Sequence, residues 1–307
     1  MPNPLNFSAK SITDLTNKTY LITGGNTGIG YECCKQLALK NATVILAARS
    51  EERAMTAIQK LKQETNDQIK IEFLKLDLAN LKQVKSASDE VLKKHPKIDC
   101  LINNAGIMAP PFALTVDGIE SQFGTNHVGH YLLTRQLLPA LSKSSEPRIV
   151  NVSSSYHDKA PPEGIVFESI NDEKRLDIWG RYGQSKLSNM LFTRGLHKRY
   201  PTIWSYTVHP GFVDTELTRG PVSSYGILFA PIIAIVKKIS ALKPEDGALT
   251  QLFCATSDAA LKDSLNGEYF VPIANHVKPV HQRGEDDQLA DKLWDFTEKL
   301  VNEKLNL

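Results

Sequence analysis

The chain has 307 residues, 41% of them hydrophobic, and 36 Lys and Arg against 34 Asp and Glu leave a net charge of +2. So balanced a charge gives no ground for a nucleic-acid or membrane-surface partner. The four cysteines, Cys33, Cys34, Cys100 and Cys254, lack metal-ligand spacing and read as buried thiols in a reducing compartment, and eight histidines without a His-x-x-x-His pair argue against a catalytic metal.

Residues 1–16 read as an extended polar arm with prolines at positions 2 and 4, neither a signal peptide nor a transmembrane segment. Residues 17–307 read as one domain, without internal repeats or a convincing linker. Thr19-Tyr20-Leu21-Ile22-Thr23 is expected as a short buried strand, which Gly24-Gly25-Asn26-Thr27-Gly28-Ile29-Gly30 breaks before a helical run to about Lys40. Strand, glycine turn and helix together set backbone N–H groups and a helix N-terminus against a pyrophosphate. Gly24 would allow the tight turn, Gly28 the close approach of a phosphate, and Gly30 close packing of helix on strand. The plainer reading is a glycine-rich loop with no ligand, and the flanking strand and helix weigh against it.

Further strands are expected at Thr43–Ala47, Ile69–Leu76, Cys100–Asn103, Arg148–Ser153 and Ile203–Val208. Between them Leu81, Val84, Val91 and Leu92 mark one apolar helix face, and a helix from about Ile119 to Ser142 carries Asn126. Leu289, Leu293, Phe296 and Leu300 give a C-terminal helix. This alternation implies an α/β fold with a parallel sheet covered on both faces. Tyr182 and Lys186 lie four apart in Arg181-Tyr182-Gly183-Gln184-Ser185-Lys186, hence on one helix face. There Lys186 would favour the phenolate and shift the Tyr182 acidity toward neutral pH, as general acid–base chemistry needs. A Tyr-x-x-x-Lys pair arises by chance in many helices, so its weight depends on the motifs before it.

Those motifs carry a resemblance. The spacing of Thr23, Gly24, Gly28 and Gly30 resembles the short-chain dehydrogenase/reductase family, and further matches follow in the family's order. They are Asn103-Asn104-Ala105-Gly106, Asn126 within Phe123–His130, the serines ending Arg148–Ser154, the Tyr182–Lys186 pair, and His209-Pro210-Gly211-Phe212-Val213-Asp214-Thr215. The resemblance runs from about residue 17 to 303 and implies a single Rossmann-type doubly wound parallel sheet with helices on both faces. The 28 positions from Ser154 to Tyr182 exceed the gap of compact members. A similar long insert, here Tyr156–Gly180, occurs in the retinol-dehydrogenase-like and WW-domain-oxidoreductase-like branch, which this chain also resembles at Lys243–Ala248. Many members of that branch carry a hydrophobic N-terminal anchor that this chain lacks, so the expectation is a soluble, cytoplasmic carbonyl reductase rather than a retinoid enzyme.

By resemblance, Tyr182 is the general acid in reduction and the base in oxidation, and Ser154 hydrogen-bonds the substrate oxygen. Lys186 holds the nicotinamide ribose and lowers the Tyr182 pKa, while Asn126 disturbs its helix and holds a water that relays protons to Lys186. Strand alternation places Ser153 and Ser155 on one face and Ser154 on the other; family alignment selects Ser154, with a neighbouring serine the alternative. The resemblance also implies cofactor contacts at Thr23, Gly24, Asn26, Thr27, Gly28, Ile29 and Gly30 in the loop. Asp77 would meet the adenine, Asn103 with Ala105 the adenosine ribose, and Thr215 and the backbone near Val213 the carboxamide, with Leu78, Gly106, Pro210 and Gly211 as further cofactor contacts. Asp77 can equally be a plain turn or helix-capping residue.

Cofactor choice turns on the end of the second strand. An NAD site usually places a carboxylate there to bind the ribose 2′-hydroxyl. Ala47 and Ala48 supply none, whereas Arg49 offers a cationic fork and Ser50 a hydroxyl for a 2′-phosphate. NADP is therefore favoured over NAD, although Asn26 and Thr27 put no basic residue in the glycine loop and Arg49 can also be read as a surface residue before the next helix.

The longest apolar run, Tyr225 to Val236, is interrupted by Pro231, is too short to span a bilayer and precedes Lys237-Lys238. A substrate lid, a peripheral membrane contact and ordinary core packing compete for it, and the lid is favoured. A homodimer through the helices around Asn126 and Tyr182, common in the family, is open to this chain. Two functions stand: an NADP-dependent oxidoreductase for apolar carbonyls or alcohols, and a catalytically silent NADP-binding regulator. Intact Tyr182 and Lys186 favour the enzyme.

Overall fold

The computed structural model describes residues 6–65, 67–213, 219–226 and 242–306. Eight strands form one sheet in the order β3-β2-β1-β4-β5-β6-β7-β8. They are β1 (Thr19–Thr23), β2 (Thr43–Ala48), β3 (Lys70–Lys75), β4 (Cys100–Asn103), β5 (Arg148–Val152), β6 (Trp204–Val208), β7 (Tyr269–Val271) and β8 (Asn275–His276). All pairings are parallel except β7 with β8, so the expected doubly wound sheet is present with an antiparallel edge. The order reverses between β1 and β4, which opens a crevice at the carboxyl ends of the strands.

Alternation along the central strands divides the apolar side chains into two cores. Leu21, Leu101 and Ile149 face one of them, together with α3 (Leu81–Lys94), α5 (Gly129–Leu141), α6 (Ile178–Arg199) and the C-terminal helix α9 (Asp287–Leu305). Tyr20, Ile22, Cys100, Ile102 and Val150 face the other, covered by α1 (Gly28–Ala38), α2 (Glu51–Glu64) and α8 (Pro244–Thr256). All four cysteines are free and buried. The segment read as one helix from Ile119 to Ser142 is broken up: a short α4 (Ser121–Phe123), a π-helical turn Gly124–Val128, then α5. Such a widened turn is frequent at functional sites. The short helix α7 (Arg219–Tyr225) docks on the Met108–Pro110 segment, where Ser224 Oγ donates to Ala109 O at 2.8 Å.

The N-terminal arm is less extended and less polar in its packing than expected. Ala9–Ser11 form a 3-10 turn, Phe7, Ile12 and Leu15 are buried, and the Phe7 ring meets Phe253 edge-on at 5.4 Å. At the other end, α9 covers the outer faces of α5 and α6. Trp294 packs against Tyr131 and Phe192, the Arg199 guanidinium lies 4.5 Å above it, and Asp287 and Asp291 pair with Arg194, Lys198 and Arg199. Those faces are the ones the sequence offered for a subunit contact, and part of them is covered within the chain. Most of the 225–236 run, from residue 227 on, lies outside the described residues, as do Asp214 and Thr215.

Candidate active site

The glycine loop hangs from the end of β1. Gly24 sits at φ +66°, and its N–H donates to Ala47 O at 2.8 Å, fixing the turn against β2. A Cβ on Gly30 would lie 2.3 Å from Gly24 O and 2.6 Å from Asn104 Nδ2, so only glycine lets α1 approach this closely. Thr27, the residue before α1, makes no side-chain cap, which leaves the first-turn N–H groups at Gly28, Ile29 and Gly30 free of it. With half-buried Asn26 they frame a cradle suited to a pyrophosphate.

Opposite the loop, Asn104 N and Ala105 N both donate to Thr23 Oγ1 at 2.9 Å, and Asn104 Nδ2 donates to Thr23 O at 2.9 Å. Asn103 is turned inward, its amide donating to Thr134 Oγ1 and Asn151 Oδ1. Ala105 and Gly106, the other residues expected there, are both half-buried. Asp77 Oδ1 accepts from Ala79 N at 3.0 Å, the turn role weighed for it, while Leu78 is buried against Gly129. Arg49 is exposed at the end of β2, and Ser50 caps α2 by accepting from Arg53 N. Pro210 and Gly211 follow β6, with Gly211 at φ +87°, and Val213 pairs with Leu242.

Asn126, Ser154, Tyr182 and Lys186 converge on the crevice. Asn126 in the π turn grips the Ile107 backbone, accepting at Oδ1 from Ile107 N (2.8 Å) and donating from Nδ2 to Ile107 O (2.9 Å) and to Ser185 Oγ (2.9 Å). Ser154 ends the run after β5; its Oγ accepts from Tyr156 N at 3.2 Å and lies near enough to the Tyr182 hydroxyl to lower that phenol's pKa. Ser153 instead donates to Lys186 O at 2.7 Å and Ser155 is exposed, so Ser154 is the serine that meets the tyrosine. Lys186 Nζ donates to Val152 O at 3.0 Å and lies 5.8 Å from the Tyr182 ring centre. A Cβ on Gly106 would come within 3.1 Å of Asn126 Oδ1 and 3.3 Å of that ammonium, so the cofactor wall and the reactive groups share one space.

The electrostatics differ from the sequence expectation. Burial pushes the Tyr182 phenol well above its ordinary range, opposed by the Ser154 hydrogen bond, and Lys186 is not what sets it in the protein alone. Lys186 itself falls from 10.5 to about 8, because a buried ammonium is poorly solvated. That depression corresponds to about 3 kcal/mol of cost to the folded state below pH 8, where both states are protonated. Between pH 8 and 10.5 the native state sheds the proton first, so stability rises with pH. Lys186→Met is therefore expected to raise the stability of the unliganded protein at pH 7 by up to about 3 kcal/mol, with the gain shrinking from pH 8 to 10.5. Val152 O keeps its bond from Asn189 Nδ2 at 3.0 Å. Urea unfolding at three pH values checks this; a variant that loses stability at pH 7 overturns it.

Sequence reasoning passed over Asn104, Gly129 and Ser185 as individual residues. All three lie inside motifs quoted above, yet only their contacts in the fold show what they do. A Cβ on Gly129 would lie 2.4 Å from Leu78 O, so the π turn abuts the segment expected at the adenine.

A doubly wound sheet with a glycine cradle, and a Tyr–Lys helix beside it at the same edge, defines the class of nicotinamide-dinucleotide oxidoreductases. A family model described as short chain dehydrogenase matches residues 18–169. An uncharacterized oxidoreductase of Schizosaccharomyces pombe is 38% identical over 98% of this chain and 90% of its own length. Retinol dehydrogenase 11 of Mus musculus is 37% identical over 94% and 87%. A crystal structure of an uncharacterized protein from Mycobacterium Paratuberculosis superposes with a TM-score of 0.75 at 33% identity, covering 96% of this chain and 97% of that one. The chain belongs to the short-chain dehydrogenase family, and its likeness extends to the retinol-dehydrogenase-like branch. Among the described residues no helix is long and apolar enough to cross a membrane.

Proposed function

We propose that the protein is an NADP(H)-dependent oxidoreductase that interconverts a ketone or aldehyde and an alcohol on an apolar small molecule. The observation that carries this reading is the buried Tyr182, with Ser154 beside its hydroxyl and the Lys186 ammonium 5.8 Å from its ring centre. When bound, the nicotinamide supplies or accepts the hydride at the reacting carbon. In the reduction direction, Ser154 Oγ–H donates to the carbonyl oxygen and the Tyr182 hydroxyl delivers the proton that completes the alcohol. Lys186, held by Val152 O, offers its remaining N–H groups to a ribose hydroxyl and a positive charge to the phenolate left behind. Asn126 fixes the Ile107 backbone beside it, and through Ser185, which donates to Tyr182 O, braces the second turn of the reactive helix.

Arg49 supplies the charge for a 2′-phosphate, with Ser50 beside it. The apolar character of the substrate is supported by aromatic rings around the mouth: Tyr156 lies 5.0 Å from Trp179 and 6.0 Å from Tyr182, and the Phe112 ring stacks under Arg181 at 5.3 Å. Four free buried thiols fit a reducing compartment such as the cytoplasm. The reading is tested by following NADPH absorbance over aliphatic, aromatic and steroid-like carbonyls. Consumption with apolar members is the expected result; tight NADPH binding with no carbonyl consumed would overturn it in favour of a silent regulator.

A further inference from the structure

Within the run that carries Asn126 stands a histidine that the reaction does not use. His130, in α5, is 2% exposed, and each ring nitrogen has one partner. Nδ1 lies 2.9 Å from Asn126 O and Nε2 lies 2.8 Å from Thr23 Oγ1. A carbonyl can only accept, so Nδ1 carries the proton. Burial, with the nearby Lys186 charge adding to it, pushes the ring pKa down to about 4 against the bond to Asn126, so the ring is neutral at pH 7. Nε2 is then an acceptor, and the Thr23 hydroxyl must donate to it; its other contact, to Ile102 O, is long at 3.5 Å. The same Thr23 oxygen accepts from Asn104 N and Ala105 N. Every proton in the chain is thereby placed, running from the 104–105 amides through Thr23 and His130 to the carbonyl of Asn126.

We propose that His130 is a positioning residue that sets the cofactor loop and Asn126 relative to one another. This rests on the function proposed above. Thr23 and Ala105 border the space for the dinucleotide, whereas Asn126 sits with Lys186 and Ser185 at the reacting end. No direct side-chain bond joins Thr23 to Asn126 among the described residues, so the imidazole, with one donor and one acceptor on opposite sides of a rigid ring, links the two. A histidine that merely fills the core would give the same burial but no division of effects between its nitrogens.

Two amide variants separate those nitrogens. In His130→Asn the amide nitrogen replaces Nδ1 and keeps the bond to Asn126, while Thr23 loses its acceptor. In His130→Gln the amide oxygen replaces Nε2 and keeps Thr23, while the Asn126 carbonyl loses its donor. NADPH Kd is read by fluorescence titration, and kcat at saturating NADPH with the best carbonyl of the panel. His130→Asn is expected to weaken NADPH by about tenfold, more than it lowers kcat, and His130→Gln to lower kcat by about tenfold, more than it weakens NADPH. Equal factors on both parameters in both variants, or a change in Tm alone, refute the proposal.

Should either variant fold poorly, nitrogen-15 spectra of histidine-labelled wild-type protein decide: His130 must be neutral with Nδ1 protonated, and the opposite tautomer sinks the idea. Thr23→Val approaches the link from its other end; it should weaken NADPH at least as much as His130→Asn does, since the 104 and 105 amides lose their acceptor too, and adding His130→Asn to it should cost nothing further. If wild-type protein consumes no carbonyl, the functional reading fails, but the Kd difference between the two amide variants still judges the link.

Discussion

Tyr182→Phe is expected to lower kcat by about 10³-fold while leaving the NADPH Kd within about twofold of wild type. The substitution removes one oxygen and keeps a ring that is only 2% exposed, so neither a cavity nor a new polar group enters the core. Lys186 keeps its bond to Val152 O and Asn126 keeps Ile107, so the ribose and loop contacts are untouched. What disappears is the proton donor and the partner of Ser154. A general acid contributes about 10²–10⁴-fold, and here its loss also leaves the alkoxide facing a buried ammonium with no proton to take from the ring. Because burial raises the phenol's pKa, the hydroxyl stays protonated through neutral pH, and wild-type carbonyl reduction should be flat there and fall only on the alkaline side. The measurement is stopped-flow NADPH oxidation with the best carbonyl of the panel, beside a binding titration. A variant with unchanged kcat would show that Tyr182 is not the acid.

Much of this arrangement is legible in one dimension because backbone geometry demands it. Gly30 at the start of α1 must be glycine because the Gly24 carbonyl oxygen lies 2.3 Å from where a side chain would begin. Thr19–Thr23 is legible as a buried strand, and in a sheet covered on both faces its neighbours Leu21 and Ile22 fall into opposite cores. Counting along a strand separates Ser154 from Ser153 and Ser155, and the family's motif is what selects it.

The rest depends on contacts between distant segments. Nothing local in Asn103 announces that its amide sinks between Thr134 and Asn151. Phe7, Ile12 and Leu15 are too widely spaced among polar residues to announce that the arm would be buried. Spacing of four likewise placed Lys186 beside Tyr182 but said nothing of solvation. In the folded chain desolvation outweighs the pair's mutual influence, moving the phenol up and the ammonium down. A cofactor carrying positive charge on its ring would restore the balance that the sequence alone suggested.

Arg49→Asp is expected to weaken NADPH by about 10²–10³-fold and NADH by less than about threefold. The fork of a guanidinium on a phosphate forms charge-assisted bonds that contribute about 1.5–3 kcal/mol. Reversing the charge adds repulsion between a carboxylate and the phosphate, whereas the same carboxylate can accept from the 2′-hydroxyl of NADH. Position 49 is well placed to isolate this effect. Leu76 N donates to Ala48 O at 3.0 Å and Gly24 N to Ala47 O, so the end of β2 is held by its neighbours and not by the arginine. Arg49 is exposed, and Ser50 keeps its cap on α2, so stability should change little. Screening offers an internal control, because the NADPH contact of wild-type protein should weaken with added salt more steeply than the NADH contact. Titrating both cofactors against both proteins at two salt concentrations decides the matter: equal losses for NADPH and NADH would remove Arg49 from the phosphate site and return it to the surface, since only a charge that one cofactor carries and the other lacks can split the two affinities.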